Sequence, residues 1–360
     1  MAKLDDLRAS IARLDDEILD LIAQRLEAAR EVGEIKSAME IPIRDFPVEA
    51  RVKDRFVGAC ETRGVDPELG RELAVMLIEH AVRLQTGFRD LSTKKGSGRA
   101  LIIGGLGKMG AWLAGYLHAT GHHVQIFDTS PGTSEFEIVD DLAAGLKSAD
   151  IIVLALPMPA IAPALETMDP AKVRGLVMDI ASLKTPLVST LRAATDRGLR
   201  VASVHPMFGP DAEHLIGRNL IFCDCGAPEA VKSARALFED VGANLVELEL
   251  EEHDRQMGYV LGLAHLTSIL YAQVLADSGL DFAELGRVAS TTFGKQNATA
   301  LDVMRENPDL YFDIQHHNAA SPELAHRLRE GLDEILEAIA SGDRDSFRAI
   351  MIAGRDYFLG

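Results

Sequence analysis

The stretch Arg99-Ala100-Leu101-Ile102-Ile103-Gly104-Gly105-Leu106-Gly107-Lys108-Met109-Gly110 decides the fold of this chain. An apolar, strand-like run leads into glycines with G-x-G-x-x-G spacing, and a helical pattern follows. In this arrangement Gly105 makes the tight turn, Gly107 lets the backbone approach a pyrophosphate, and Gly110 lets the helix pack on the strand. The turn residues Leu106, Lys108 and Met109 present backbone N–H groups at a helix N-terminus. The stretch therefore predicts a dinucleotide site.

An acidic residue follows the second strand-like run. Asp128 comes roughly 20 residues after the glycines, where a carboxylate hydrogen-bonds the adenosine ribose and repels a 2′-phosphate. This position favours NAD over NADP as the cofactor.

Downstream, apolar runs alternate with helical patterns, which predicts an open, largely parallel α/β sheet of the Rossmann type. The predicted strands are Ala100–Ile103, Val124–Phe127, Ile151–Leu156, Leu176–Ile180, Val201–Val204, Asn219–Cys223 and Leu245–Leu248. From about Glu251 onward only helical periodicity remains. We expect four segments: a helical domain 1–91, a polar linker 92–98, the sheet domain 99–250, and an all-α C-terminal domain 251–360.

The N-terminal segment is a heptad repeat that predicts one long helix from Leu4 to Met39. Pro42 breaks it, a second helix starts at Asp45 or Phe46, and a third follows Asp66-Pro67. So long a helix needs another long helix beside it. Arg25 stands at a core position of the heptad, where an uncompensated charge is costly, so an anionic ligand or a buried acid is implied.

Composition excludes several classes of function. The 360 residues carry a net charge of −18, which argues against nucleic acids and anionic membranes as partners. The longest apolar run, Ile151–Leu156, is far shorter than a membrane span, and no secretory signal is recognisable. Three cysteines without ligand spacing indicate a reducing compartment and no metal site. We expect a cytoplasmic protein.

Two predicted strands end in polar groups at the sheet edge where ligands bind. The end of one strand carries Asp179-Ile180-Ala181-Ser182-Leu183-Lys184, and the other strand is followed by His205-Pro206-Met207-Phe208-Gly209-Pro210. Proline holds the backbone of His205 extended, and an imidazole there can accept a proton from a substrate hydroxyl.

These motifs resemble those of prephenate dehydrogenases, and the His205–Pro210 run is the most specific of them. The N-terminal helices resemble the all-helical chorismate mutases. The order of the two parts resembles that of the bifunctional chorismate mutase/prephenate dehydrogenases, over nearly the whole chain.

The dehydrogenase resemblance implies oxidative decarboxylation of prephenate to 4-hydroxyphenylpyruvate with NAD. It implies that His205 polarises the C4 hydroxyl, that Ser182 hydrogen-bonds near it, and that His265 lines the cleft. Lys295 stands where the family has an arginine for the substrate carboxylate. Lysine keeps the charge but loses the bidentate fork, and Arg287 is an alternative anchor.

The mutase resemblance implies rearrangement of chorismate to prephenate, which cations and neutral donors catalyse without a nucleophile or metal. The resemblance assigns substrate carboxylates to Arg8 and Arg25, the ether oxygen to Lys36 and Gln85, and further substrate contacts to Asp45 and Glu49. It also implies an intertwined dimer of three-helix chains, with Arg8 reaching into the partner's pocket, and a C-terminal domain that dimerises.

The sequence departs from the mutase pattern at two positions. Val48 replaces an arginine, for which Arg51 is a candidate substitute, and Ala81 replaces a serine found in some members.

Three alternatives stay open. The helices could serve only as an oligomerisation module, the chain could be a non-catalytic NAD sensor, or arogenate could replace prephenate. Tyrosine feedback would act at the active site or at the helical interface.

Overall fold

A computed structural model describes residues 2–39, 45–88, 98–212, 214–239 and 241–360. The chain forms two compact units. The first contains Met1–Ala181 and Thr190–Leu248, and the second contains Ser182–Ser189 and Glu249–Gly360. Pro42 and most of the predicted linker 92–98 lie outside the described residues.

The first unit begins with three helices, as the heptad and the capping signals predict. They are α1 (Ala2–Ala38), α2 (Phe46–Glu61) and α3 (Pro67–Phe88). At about 1.5 Å per residue, the 37 residues of α1 extend about 55 Å. Asp45 caps α2 by accepting a hydrogen bond from the backbone N–H of Val48 at 3.1 Å.

The apolar stripe of α1 is exposed along most of its length. The stripe residues that are more than half exposed are Leu4, Leu7, Ile11, Leu14, Ile18, Leu21, Ile35 and Met39. A contiguous apolar stripe of this size is typical of a surface that packs on another helix.

The rest of the first unit is an eight-stranded sheet with strand order 3-2-1-4-5-6-7-8. The strands are β1 (Arg99–Ile103), β2 (His123–Phe127), β3 (Glu137–Ile138), β4 (Ile151–Leu154), β5 (Leu176–Asp179), β6 (Arg200–Pro206), β7 (Asn219–Asp224) and β8 (Asn244–Leu248). All seven predicted strands are present. The sequence missed β3, since two exposed residues at a sheet edge leave no periodic signal.

Pairing is parallel except between β6 and β7, which run antiparallel with His205 opposite Ile221. The helices α4 (Lys108–Ala119), α5 (Leu142–Ser148), α6 (Met158–Thr167), α7 (Val188–Asp196) and α8 (Pro228–Ala236) connect the strands. Leu113 and Leu117 of α4, with Phe238 after α8, are buried in the core against strand residues such as Phe222.

A small apolar cluster joins the helical part to the sheet part. Ile78 and Val82 of α3 pack with Ile216, which precedes β7, and Val52 of α2 lies against them. A side chain at Gly242 would come within 3.2 Å of Val82, so the two parts approach closely there.

The second unit is helical. It contains α9 (Leu250–Met257), a π-helical turn (Gly258–Leu263), α10 (Ala264–Asp277), α11 (Phe282–Arg287), α12 (Thr291–Met304), α13 (Pro308–His317), α14 (Ser321–Ser341) and α15 (Arg344–Leu359). The continuous run Leu250–Asp277 is long and apolar enough to cross a membrane by length and composition alone, and 11% of its apolar 18-residue window is buried. Charged and polar residues interrupt the run, so the sequence offers no continuous apolar stretch there.

Candidate functional site

The glycine loop has the geometry of a phosphate cradle. Gly104 has φ +85°, and a side chain there would collide with the Ala155 carbonyl. A side chain at Gly110 would likewise strike the carbonyl of Gly104, so α4 packs against the turn only because both residues are glycine. Gly107 is the N-cap of α4 and supplies no side-chain cap, so the first-turn N–H groups have no competing side-chain acceptor there.

Asp128 lies directly against this loop. Its Oδ2 accepts a hydrogen bond from the Leu106 N–H at 3.0 Å, and its Oδ1 accepts from the Ser130 N–H at 2.9 Å. The carboxylate therefore lies beside the crevice between β1 and β2, where an adenosine ribose binds in such sheets. Gly105, Leu106, Gly107, Lys108, Met109 and Gly110 form the loop, and Asp128 forms its acidic edge; together these residues fit NAD.

Replacing Asp128 with Asn is expected to weaken NAD binding about 10- to 100-fold and to reduce the preference for NAD over NADP. The amide keeps an acceptor for Leu106 but loses the charge-assisted hydrogen bond to the ribose and the repulsion of a 2′-phosphate. Titration of both cofactors by fluorescence measures the change.

The matched control is Asp169→Asn, because Asp169, which follows α6, accepts the backbone N–H of Ala171 two residues on, as Asp128 accepts that of Ser130. An Asp128→Asn protein with unchanged discrimination between NAD and NADP would contradict the assignment.

His205 lies at the end of β6 and is almost fully buried. β6 is two strands beyond β4 in the sheet, or about 10 Å at the usual strand spacing. The switch point of the strand order lies between β1 and β4, with Asp128 after β2 on one side and β6 on the other. A dinucleotide lying across this edge with its adenosine near Asp128 directs its nicotinamide toward the side of His205.

An aromatic contact that the sequence analysis did not identify supports the loop after His205. Trp112 of α4 packs edge-on against Phe208 with ring centroids 5.1 Å apart. Its Nε1–H donates to the Ala212 carbonyl at 2.7 Å. The helix that opens at the glycine loop therefore also holds the loop that follows the histidine. A single tryptophan inside a helical pattern gave no signal for this role.

Ser182 and His265 belong to the second unit. His265 is the second residue of α10, just after the π-helical turn, and turns of this kind are frequent at functional sites. Its ring lies 4.2 Å from the ring of Tyr311, centroid to centroid. Its Nδ1 is buried without a hydrogen-bond partner among the described residues.

Burial lowers the pKa of His265 from 6.5 to about 4. His265 therefore binds a proton near pH 6.5 in the unfolded chain but only near pH 4 in the folded protein. The stability of the folded state falls as pH falls through this window. We expect His265→Gln to lose less stability than the wild type between pH 7 and pH 5. Urea unfolding at the two pH values measures this, and an equal loss in both proteins would contradict it.

Lys295 and Arg287, the two candidate carboxylate anchors, lie on α12 and α11 respectively, and both are exposed. Neither forms an ion pair within the part of the chain that the structure describes. The structure therefore leaves both lysine and arginine free to bind an anion.

Arg25 lies where the three N-terminal helices meet. Its Nη1 donates to the Leu77 carbonyl of α3 at 3.0 Å, and no acidic side chain among the described residues forms an ion pair with it. Burial and the nearby charge of Arg55 lower the pKa of Arg25. A half-buried guanidinium beside a second arginine is an electropositive site that favours an anionic ligand.

Arg55 was missed by the sequence analysis, which considered only Arg51 as a substitute for the arginine absent at Val48. Arg55 lies about one turn beyond Arg51 on α2, and both side chains are exposed. Only its proximity to Arg25 in the folded chain identifies Arg55 as a charged neighbour.

The other predicted mutase residues are distributed around the three helices. Glu49 is buried on α2, Lys36 is half-buried on α1, and Asp45 is occupied as the α2 cap. Arg8 is exposed and pairs with Asp5 of its own helix at 3.6 Å. The side chain of Gln85 lies outside the described residues. Among those described, no cluster of potential ligands could hold a metal ion.

Comparison with known families matches three consecutive parts of the chain. Residues 7–86 match chorismate mutase type II, 113–247 the nucleotide-binding domain of prephenate dehydrogenase, and 249–353 its dimerization domain. A T-protein of Enterobacter agglomerans is 27% identical over 97% of this chain and 91% of its own length. A chorismate mutase of Methanocaldococcus jannaschii is 37% identical over 26% of this chain and 94% of its own length.

The fold has a relative among solved structures. The crystal structure of prephenate dehydrogenase from A. aeolicus with hydroxyphenyl propionate and NAD⁺ is 19% identical, with a TM-score of 0.59 over 72% of this chain and 97% of the other. The class is thus an all-helical mutase joined to an NAD-dependent dehydrogenase. This chain belongs to the bifunctional chorismate mutase/prephenate dehydrogenases.

Proposed function

We propose that this enzyme of tyrosine biosynthesis converts chorismate to prephenate at its N-terminal helices and prephenate to 4-hydroxyphenylpyruvate at its sheet edge. The observation that best supports this proposal is that one chain carries both sites. Arg25 is a half-buried cation without an acidic partner among the described residues, and His205 ends a strand of a sheet whose switch point carries the Asp128 loop.

In the dehydrogenase, the loop 105–110 and Asp128 hold NAD. Bound NAD supplies the acceptor for the hydride that leaves C4 of prephenate, while the ring carboxylate departs as CO₂ and the ring becomes aromatic. His205 holds the C4 hydroxyl and accepts its proton. Ser182 hydrogen-bonds the same part of the substrate, and His265, neutral because of its low pKa, contacts the substrate without adding charge.

The anchor for the substrate carboxylate is Lys295, with Arg287 as the second candidate. Both carry the positive charge that a carboxylate needs, in a protein whose net charge of −18 repels anions overall.

In the mutase, Arg8 from the partner and Arg25 bind the two carboxylates of chorismate. Lys36 and Gln85 donate to the ether oxygen as its bond breaks, and Glu49 and Asp45 contact the remainder of the substrate. Arg55 adds positive charge beside Arg25, in place of the arginine absent at Val48.

The exposed stripe of α1 supports a homodimer in which the long helices of two copies pair. The C-terminal unit offers a second apolar surface, since Leu270, Val274, Phe282 and Leu301 are exposed and the segment matches a dimerization domain. A second copy of the chain would cover such a face, so we assign the apolar run Leu250–Asp277 to dimerisation. We assign the enzyme to the cytoplasm.

We place the domain boundaries at 1–91, 92–98, 99–250 and 251–360. Tyrosine feedback would act at the active site or at the helical interface.

A coupled assay tests the whole proposal. Purified enzyme given chorismate and NAD should form NADH after a lag during which prephenate accumulates. Without NAD, prephenate alone should accumulate. Absence of prephenate above the uncatalysed rate would reduce the helices to an oligomerisation module, and NAD binding without turnover would indicate a cofactor sensor. Faster turnover of arogenate than of prephenate would change the substrate.

A further inference from the structure

A buried carboxylate in the second unit holds the segment Ser182–Ser189. Asp254 of α9 accepts the backbone N–H of Lys184 at 2.8 Å on Oδ1 and that of Thr185 at 2.6 Å on Oδ2. The two oxygens of one carboxylate thus accept hydrogen bonds from the N–H groups of two consecutive residues. The partners are about 70 residues apart in sequence, so this contact is tertiary.

Asp254 is itself held from the other side. The fully buried ring of His253 hydrogen-bonds Oδ1 through Nδ1 at 2.6 Å. Asn318 donates through Nδ2 to the Asp254 carbonyl at 2.9 Å, and the Asn318 Oδ1 accepts the N–H of Ala320 at 2.8 Å. These hydrogen bonds fix the position of the Asp254 carboxylate within the helical unit.

The charged form of this carboxylate is the stable one. Burial alone raises the pKa of Asp254, but hydrogen bonds from His253, from the Thr185 side chain and from the N–H groups of Thr185 and Lys184 lower it below its usual value. Charge-assisted bonds of this kind are shorter and stronger than neutral ones.

The held segment is the one that carries Ser182, two residues before Lys184. The Lys184 side chain is fully buried, and Pro186 restricts the short 3₁₀ turn Thr185–Leu187 that follows. With its C-terminal side held at two successive amides, the segment has little freedom to move Ser182. A displacement of about 1 Å at a reacting group costs up to about a hundredfold in rate.

We propose that Asp254 is a positioning residue of the dehydrogenase, whose carboxylate holds the backbone of Ser182–Ser189 so that the Ser182 hydroxyl meets the substrate. The inference rests on the proposed role of Ser182. His253 assists by orienting the carboxylate.

The test is a double-mutant cycle in the full-length enzyme with Asp254→Asn, Ser182→Ala and the pair. Asp254→Asn should lower the dehydrogenase kcat about 10- to 100-fold, the loss of one charge-assisted contact, with the KM for NAD unchanged. In the Ser182→Ala background the same change should cost less than about threefold. Mutase activity in the same samples, expected to stay at the wild-type rate, reports that the chain is folded.

Amide hydrogen exchange measures how firmly Asp254 holds the segment, and this measurement does not depend on catalytic activity. Peptides covering Lys184 and Thr185 should exchange faster in Asp254→Asn, while Asp254→Glu, which keeps the charge, should restore part of the protection and of kcat. Asp343→Asn is the matched control, because Asp343 accepts the N–H groups of Asp345 and Ser346 on the surface. It should leave kcat and the exchange of the segment unchanged.

Equal rate losses with and without the Ser182 hydroxyl would overturn the proposal, as would unchanged exchange in Asp254→Asn and its Glu variant. A Ser182→Ala enzyme at the wild-type rate would overturn the role of Ser182 itself. The exchange data then report separately whether Asp254 holds the segment.

Discussion

His205→Asn is expected to lower NAD reduction by prephenate about 10²- to 10⁴-fold, the usual contribution of a positioned acid–base group. Asparagine occupies the same place on β6 and can donate a hydrogen bond, but it cannot accept the C4 hydroxyl proton. Steady-state NADH formation measures the loss. Because the proposed role of His205 is toward the substrate and not toward the cofactor, we expect kcat to fall far more than the affinity for NAD.

The mutase activity of the same protein is the internal control for folding. His326→Asn is the matched control variant, since His326 is 70% exposed on α14 and should be dispensable for both reactions. An His205→Asn enzyme with more than about a tenth of wild-type kcat would assign the proton transfer to another group.

Arg25→Ala should lower the mutase rate about 10²- to 10³-fold and leave NAD reduction by prephenate largely intact. Loss of one preorganised charge from a water-poor site has effects of this size. Among the described residues Arg25 donates to a backbone carbonyl and forms no ion pair, so its truncation leaves no buried acid unpaired. The rate is measured from the loss of chorismate, which is monitored by its absorbance.

Arg13→Ala is the matched control on the same helix, because Arg13 is exposed and reaches only Ser10. Arg25→Lys should retain part of the activity, since it keeps the charge without the planar fork. Parallel loss of both activities in Arg25→Ala would mean that the residue supports folding or dimerisation instead.

The local patterns were strong enough to predict most elements. Heptad spacing predicts α1, the Asp45 and Asp66-Pro67 signals predict the starts of α2 and α3, and the glycine loop predicts the β1–α4 turn. These features depend on neighbours within a few residues, such as a cap or a periodic face, and short-range physics decides them. The two-residue β3 and the antiparallel orientation of β7 depend on pairing with other strands, and only the fold shows them.

The residues of the candidate sites also divide into those predicted from local motifs and those identified only in the fold. The identities of Gly105, Gly107, Gly110, Asp128 and His205 follow from motif spacing, because each motif places its groups at the end of a single strand. Trp112, Arg55 and Asp254 carry no local signal, and each becomes a candidate through a partner far along the chain.

The amino-acid sequence by itself determined the kind of protein: a long helical seam with a cation in its core, a dinucleotide loop, and a histidine held by proline. Those features are written in periodicity and in residues whose backbone preferences are local. Tertiary structure alone decided that Arg55 lies near the half-buried Arg25 and that the Asp254 carboxylate holds the Ser182 segment. Burial and hydrogen bonding between residues distant in the chain exist only once the chain has folded.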